Sequence, residues 1–231
     1  MKYLKTARRV ITSLLFLINP SGDLYFIIAR PFSRIDVSMG SMSGSALNAE
    51  ILTRAKDKVV LEFGSGGSTL ALAQQAKILT SIESDHKFAR AVQGLLDEAK
   101  YSHRAKVIWA NIGMTKTFGQ PILWLRPLFQ HRYANYVRVF YADENSKFAP
   151  ELVFIDGRFR VYCVLSILSN YSNSMTLIVD DFFSRPEYAI LGKLLGEPAS
   201  RIGDAAIFQI EASDDRSALV NSYSEYQKDF R

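Results

Sequence analysis

Five carboxylates, a glycine-dense loop and two neighbouring arginines are spaced along this chain as a ligand site would need them. The apolar run Val59-Val60-Leu61 leads into Glu62 and Phe63, and Gly64-Ser65-Gly66-Gly67 follows at once. Such a loop lets backbone N–H groups at a helix N-terminus approach a ligand without Cβ obstruction. Glu83 lies nineteen residues after Gly64 and ends a second apolar run, Ile78 to Ile82. An acidic side chain at about that distance is placed to accept hydrogen bonds from both hydroxyls of a ribose. The two features together predict a nucleoside-containing cofactor. A dinucleotide fingerprint needs a third glycine at position 69, which is Thr69 here. Glu62 would also repel a pyrophosphate, whereas it suits a cofactor bearing an ammonium group.

On Glu62, the glycine loop and Glu83 the sequence resembles the class I S-adenosylmethionine-dependent methyltransferases, whose first motif reads acidic-x-Gly-x-Gly. The resemblance extends over roughly residues 40–212. It is sharpest with a group of bacterial methyltransferase-like proteins, through Asp156-Gly157-Arg158-Phe159-Arg160 and the later Ala205-Ala206-Ile207-Phe208-Gln209-Ile210-Glu211. It implies that Gly64, Ser65 and Gly66 cradle the methionine moiety of S-adenosyl-L-methionine and that Glu62 attracts its ammonium. Glu83 would hold the ribose, with Asn111 and Ile112 beside the adenine. Asp156 and Arg158 would stand at the point of catalysis, which would come mainly from alignment of methyl donor and acceptor.

The downstream carboxylates leave two readings open. Asp156 follows one apolar strand, and Asp180 and Asp181 follow the next, so three oxygen ligands for a divalent cation would meet at neighbouring strand tips. This is similar to the cation-dependent O-methyltransferases and implies Mg held by Asp156, Asp180 and Asp181. In the metal-free reading Asp156 meets the cofactor's ammonium while Asp180 and Asp181 cap the next turn. Where that family places a lysine base, this chain has Arg158, which stays protonated and cannot act as one. Arg158 and Arg160 could hold an anionic substrate group bidentately, or be paired on the protein surface.

Alternating elements must carry these residues. The sequence predicts a helix from Ser45 to Ala55, then strand 59–63, helix 68–76, strand 78–83, helix 85–100 and strand 106–110. After an insertion come strand 152–156, helix 159–171, strand 176–180, helix 186–195, strand 205–211 and a helix from Asp214. This order gives an α/β fold with a doubly wound, mainly parallel Rossmann-like sheet. The loop, Glu83, Asn111, Asp156 and Asp180 would then converge beyond the carboxyl ends of the strands. The insertion, residues 114–149, holds Phe129, Tyr133, Tyr136 and Phe140 among arginines. That composition fits a lid over the substrate or a homodimer interface.

At 231 residues, 48% hydrophobic and 22% charged, the chain can bury one sizeable core. Its only cysteine, Cys163, lies among apolar residues and reads as a buried inert thiol. The three histidines show no zinc-ligand spacing. The whole net charge of +5 falls within residues 1–34, leaving the rest neutral. A neutral body argues against nucleic acid as the main substrate. Residues 1–40 read as a basic amphipathic arm and connector, and residues 41–231 as the methyltransferase domain. Val10 to Ile18 is too short for a transmembrane helix, which needs about twenty apolar residues. A helix over residues 1–18 could lie on an anionic membrane surface, or pack on the domain or a second subunit.

The reading is thus a cytoplasmic, or membrane-peripheral, S-adenosylmethionine-dependent methyltransferase acting at oxygen on a small-molecule or carbohydrate-type acceptor. Its rival is a non-catalytic, vestigial cofactor-binding domain that works as an interaction or membrane-peripheral protein. The absence of an evident general base favours the rival.

Overall fold

The apolar runs become a seven-stranded sheet in the computed structural model, which describes residues 45–115, 119–122, 125–213, 226, 228 and 229. The basic arm and the helix expected from Asp214 lie outside the described residues, apart from isolated positions near the C-terminus. The strands are Val59–Phe63 (β1), Ile78–Glu83 (β2), Ala105–Trp109 (β3), Leu152–Ile155 (β4), Met175–Val179 (β5), Ser200–Ile202 (β6) and Ala205–Ile210 (β7). They lie in the order β3-β2-β1-β4-β5-β7-β6. The first five are mutually parallel, β7 runs antiparallel to β5, and β6 runs antiparallel to β7. From β1 the chain winds outward to β3, then returns to place β4 on β1's other side. In doubly wound sheets ligands bind beyond the carboxyl ends of the strands at such a reversal.

Helices Ser45–Ala55 (α1), Gly67–Gln75 (α2) and His86–Glu98 (α3) precede the return. Asp85 starts α3 by accepting from the backbone N–H of Lys87 (3.0 Å) and Phe88 (3.2 Å), as a good N-cap does. After the return come Arg126–Phe129 (α4), Asn135–Tyr141 (α5), Arg160–Asn170 (α6) and Ala189–Leu195 (α7). Each sheet face has its own core. Leu47, Ile51, Leu72 and Leu96 cover one, against Val60, Leu79, Phe154 and Ile178. On the other, Leu61, Phe63, Val153 and Ile155 meet α5 and α6. Cys163 lies in that second core, and burial holds its thiol well above the ordinary range, so it is inert.

The insertion contributes to the core. Phe129, Tyr133, Tyr136 and Phe140 are each at most 2% exposed and belong to the core. The reason is topological: the chain must cross from edge strand β3 to β4, and α5 packs on β2 and β3 along that route. These four aromatic side chains therefore face the sheet. Strand β6 was not expected either. It is three residues long and largely exposed, without an apolar pattern to betray it.

Candidate functional site

The glycine loop is held from below by Glu62. Its carboxylate is fully buried and accepts hydrogen bonds from Ser68 Oγ (2.5 Å), Thr69 Oγ1 (2.6 Å) and Ser81 Oγ (2.6 Å). Burial raises its pKa, and the three hydroxyls oppose that rise. Thr69 Oγ1 also accepts from Gly66 N at 2.9 Å, and Ser81 Oγ shares a 2.8 Å bond with Ser65 Oγ. The carboxylate thus fixes the loop through hydroxyls on α2 and β2. The expected contact of Glu62 with an ammonium group gives way to this bracing role, because no face of the carboxylate reaches the surface. Ser68, Thr69 and Ser81 carried no signal of their own in the sequence.

Above the brace, Gly64 has φ +98°, and a Cβ there would stand 2.6 Å from Gly157 N. The loops after β1 and β4 therefore touch backbone to backbone, and only glycine permits it. A Cβ on Gly157 would collide with Tyr136 Oη, which accepts from Arg158 N at 3.4 Å. Burial pushes the Tyr136 phenol well above its ordinary pKa, and the neighbouring Glu83 adds to the shift. Tyr136, from the first turn of α5, thus joins the site from beneath; its place among the insertion's aromatics concealed it.

Glu83 ends β2, 7% exposed. Its Oε1 accepts from Ser84 N (2.6 Å), Asp85 N (2.7 Å) and Ser84 Oγ (3.2 Å). All described bonds fall on Oε1, which leaves Oε2 to take a ligand. Burial chiefly, with repulsion from Asp85, pushes this carboxyl up to about 7. Gly119 lies against the same turn, its carbonyl accepting from Ser84 Oγ at 3.2 Å. Trp109 Nε1 donates to Ser84 O at 3.2 Å, tying β3 to it. Asn111 sits just beyond β3 with Oδ1 accepting from Gly113 N at 3.1 Å. The side chain of Ile112, expected beside the adenine, is 1% exposed and packs in the core.

At the tips of β4 and β5 stands Arg160, with a side chain 2% exposed. Its Nη2 pairs with Asp156 Oδ1 and Asp181 Oδ2, each at 3.0 Å. It also donates to the carbonyls of Gly157 (3.0 Å), Asp156 (3.2 Å) and Asp180. A guanidinium thus pairs with two of the three carboxylates expected to hold Mg, those of Asp156 and Asp181, and meets Asp180 at its carbonyl. Among the described residues no group of three His, Cys, Asp or Glu is placed to hold a metal ion. The assignment of Asp156, Asp180 and Asp181 as metal ligands is corrected accordingly, since Arg160 supplies the positive charge that a cation would. The same bonds remove Arg160 from substrate binding. The turns that present these groups are strained: Phe159 and Asp181, both non-glycine, have φ of 56° and 55°.

Asp156 keeps a third of its side chain exposed, beside the glycine loop. Burial raises its pKa to about 7; Arg160 opposes the rise, and Asp180 and Asp181 reinforce it. Asp180, 3% exposed, shares a side-chain hydrogen bond with it. Arg158 is half-buried, with its pKa lowered by burial and then by Arg160. The structure therefore brings together Gly64, Ser65, Gly66, Glu83, Asn111, Asp156 and Arg158 along one edge.

Comparison with known proteins matches this picture. No protein-family model matches the sequence, and neither does any curated protein. Among solved structures, a methyltransferase-like protein from Silicibacter pomeroyi is 27% identical, with TM-score 0.73; the match covers 84% of this chain and 100% of that one. The C-terminal domain of precorrin-6Y C5,15-methyltransferase from Rhodobacter capsulatus is 15% identical, with 74% and 91% covered and TM-score 0.46. An RNA methyltransferase from Salinibacter ruber in complex with S-adenosyl-L-homocysteine is 13% identical, with 77% and 98% covered and TM-score 0.45.

Proposed function

The chain carries the class I methyltransferase fold, and on it we propose an S-adenosylmethionine-dependent methyltransferase that acts on a small-molecule acceptor at oxygen. The observation that carries this reading is Glu83, whose Oε2 remains available beside a braced glycine loop at the switch point. The residues present fit the cofactor. Glu83 takes the ribose hydroxyls, and the backbone of Gly64, Ser65 and Gly66 at the start of α2 receives the methionine end. When bound, the cofactor supplies a sulfonium methyl that passes to the acceptor oxygen as the carbon–sulfur bond breaks and its electron pair stays on sulfur.

Asp156 performs the proton chemistry in this reading. It keeps a third of its side chain exposed beside the glycine loop, and a pKa near 7 suits a general base at neutral pH. It accepts the acceptor's hydroxyl proton, while Arg160 holds its carboxylate in place. The rival, a vestigial domain, drew its support from the lack of a general base, and Asp156 fills that role. No group of metal ligands is required.

Isothermal titration of the full chain with S-adenosylhomocysteine tests the reading. Saturable binding is expected, and Glu83→Ala should weaken it by about 2 kcal/mol through the loss of two charge-assisted hydrogen bonds. Absence of binding to the parent chain would sink the proposal; unchanged affinity in the variant would remove Glu83 from the site.

A further inference from the structure

The cations over β4 and β5 do not all serve the fold. Arg160 is spent on backbone carbonyls and carboxylates. Arg185 stands nearer the rim with a side chain 33% exposed, its Nη2 2.8 Å from Asp181 Oδ2. Arg160 and Arg185 flank one ring: their guanidinium carbons lie 5.5 and 5.9 Å from the centroid of Tyr188. Arg158 follows Gly157 in the loop after β4, and burial, then Arg160 and Arg185, lower its pKa. Three guanidinium groups crowded into a half-buried space favour an anion among them. Of the nearby carboxylates, Asp156 and Asp181 pair with Arg160, Asp181 again with Arg185, and Asp180 with Asp156, while Glu187 also acts on Tyr188.

Tyr188 supplies the independent observation. The residue is 1% exposed, and its hydroxyl has no hydrogen-bond partner. Burial raises the pKa of that hydroxyl and Glu187 adds to the rise, while Arg160, Arg185 and Arg158 pull it down. A buried hydroxyl left unmet is costly and rare in a native protein. Its position explains it if a ligand completes the bond.

We propose that Arg158, Arg185 and the Tyr188 hydroxyl form a pocket for an oxyanion, and that the methyl acceptor is therefore a small acid bearing a carboxylate, phosphate or sulfate group. The sheet order supports the placement. Cofactor groups lie over β1 and β2, so the free half of the crevice is over β4 and β5, with Asp156 between the two halves. An acceptor anchored by its anion in this pocket turns its hydroxyl toward Asp156. The word acceptor rests on the methyltransferase reading; the pocket itself does not.

The test titrates the full chain, saturated with S-adenosylhomocysteine, with sodium sulfate and separately with sodium acetate, against sodium chloride at matched ionic strength. Saturable binding that chloride does not reproduce is expected, sulfate marking a tetrahedral group and acetate a planar one. Arg185→Gln and Tyr188→Phe should each lower that affinity at least fivefold and leave the affinity for S-adenosylhomocysteine unchanged. In chloride buffer Tyr188→Phe should also melt above the parent chain, because it deletes an unmet hydroxyl. Lack of saturable binding by both anions, or parental anion affinity in both variants, overturns the pocket. A lower melting point for Tyr188→Phe gives the hydroxyl to the fold and overturns it too. Sulfate binding that depends on Arg185 and Tyr188, in a chain that ignores S-adenosylhomocysteine, supports the pocket and overturns the cofactor reading instead.

Discussion

Glu83 sets a pH dependence that can be worked out in sign. Its folded pKa is raised from 4.5 to about 7, chiefly by burial. Its contribution to stability is therefore fully present below its unfolded value and is lost as pH rises through about 7. Ligand affinity runs the other way, because the ionised carboxylate is the stronger acceptor for ribose hydroxyls. At pH 6 about a tenth of this group is ionised, so affinity for S-adenosylhomocysteine should be about tenfold weaker than at pH 8. Glu83→Gln should flatten that profile; a slope that persists in the variant assigns the titration to another group. The spacing from Gly64 to Glu83 made this residue legible in sequence. Arg160 was not, because Arg158 and Arg160 look alike two residues apart. The fold separates them by turning the chain at Phe159 with φ 56°, which sends Arg160 inward beneath the strand tips. Glu62 was legible as important but not in role, since its partners Ser68, Thr69 and Ser81 reach it from α2 and β2.

Elements meet at Gly157, where the loops after β1 and β4 and the start of α5 converge. A Cβ on Gly157 would strike Tyr136 Oη and come within 2.9 Å of Gly64 N. Gly157→Ala should therefore cost about 1–3 kcal/mol by overpacking, read from denaturant unfolding. Tyr136→Phe removes the first obstacle, so the double variant should be more stable than the sum of the two single changes implies, by about 1 kcal/mol. Strict additivity would place Tyr136 away from the loop. Buried parallel strands were the most legible elements: 59–63 and 78–83 begin and end where the apolar runs do. The insertion was less so. Composition cannot tell an aromatic face turned inward from one turned to a partner, and only the crossover from β3 to β4 decides it. For β6 the pairing with β7 supplies what its own three residues do not.

The whole molecule divides by charge. All of the +5 lies within residues 1–34, and the remainder, which contains the entire site, is neutral. No helix among the described residues is long and apolar enough to cross a membrane. The sequence predicts an amphipathic helix over residues 1–18, which lie outside the described residues. If that helix meets a membrane surface, the intact chain should bind anionic vesicles, with each basic residue near the surface adding about 1 kcal/mol. Added salt should weaken the binding, because exposed charges are screened within about 10 Å at 0.1 M. Deleting residues 1–34 should abolish it and leave affinity for S-adenosylhomocysteine unchanged, because Glu83 and the glycine loop belong to the neutral body. Packing of the same helix on the domain forecasts the opposite, a truncated chain that melts lower and precipitates. Vesicle flotation and thermal unfolding of the two chains separate these outcomes. A truncated chain that is stable and binds vesicles as well as the full one would defeat both, and would move the membrane contact to the neutral body.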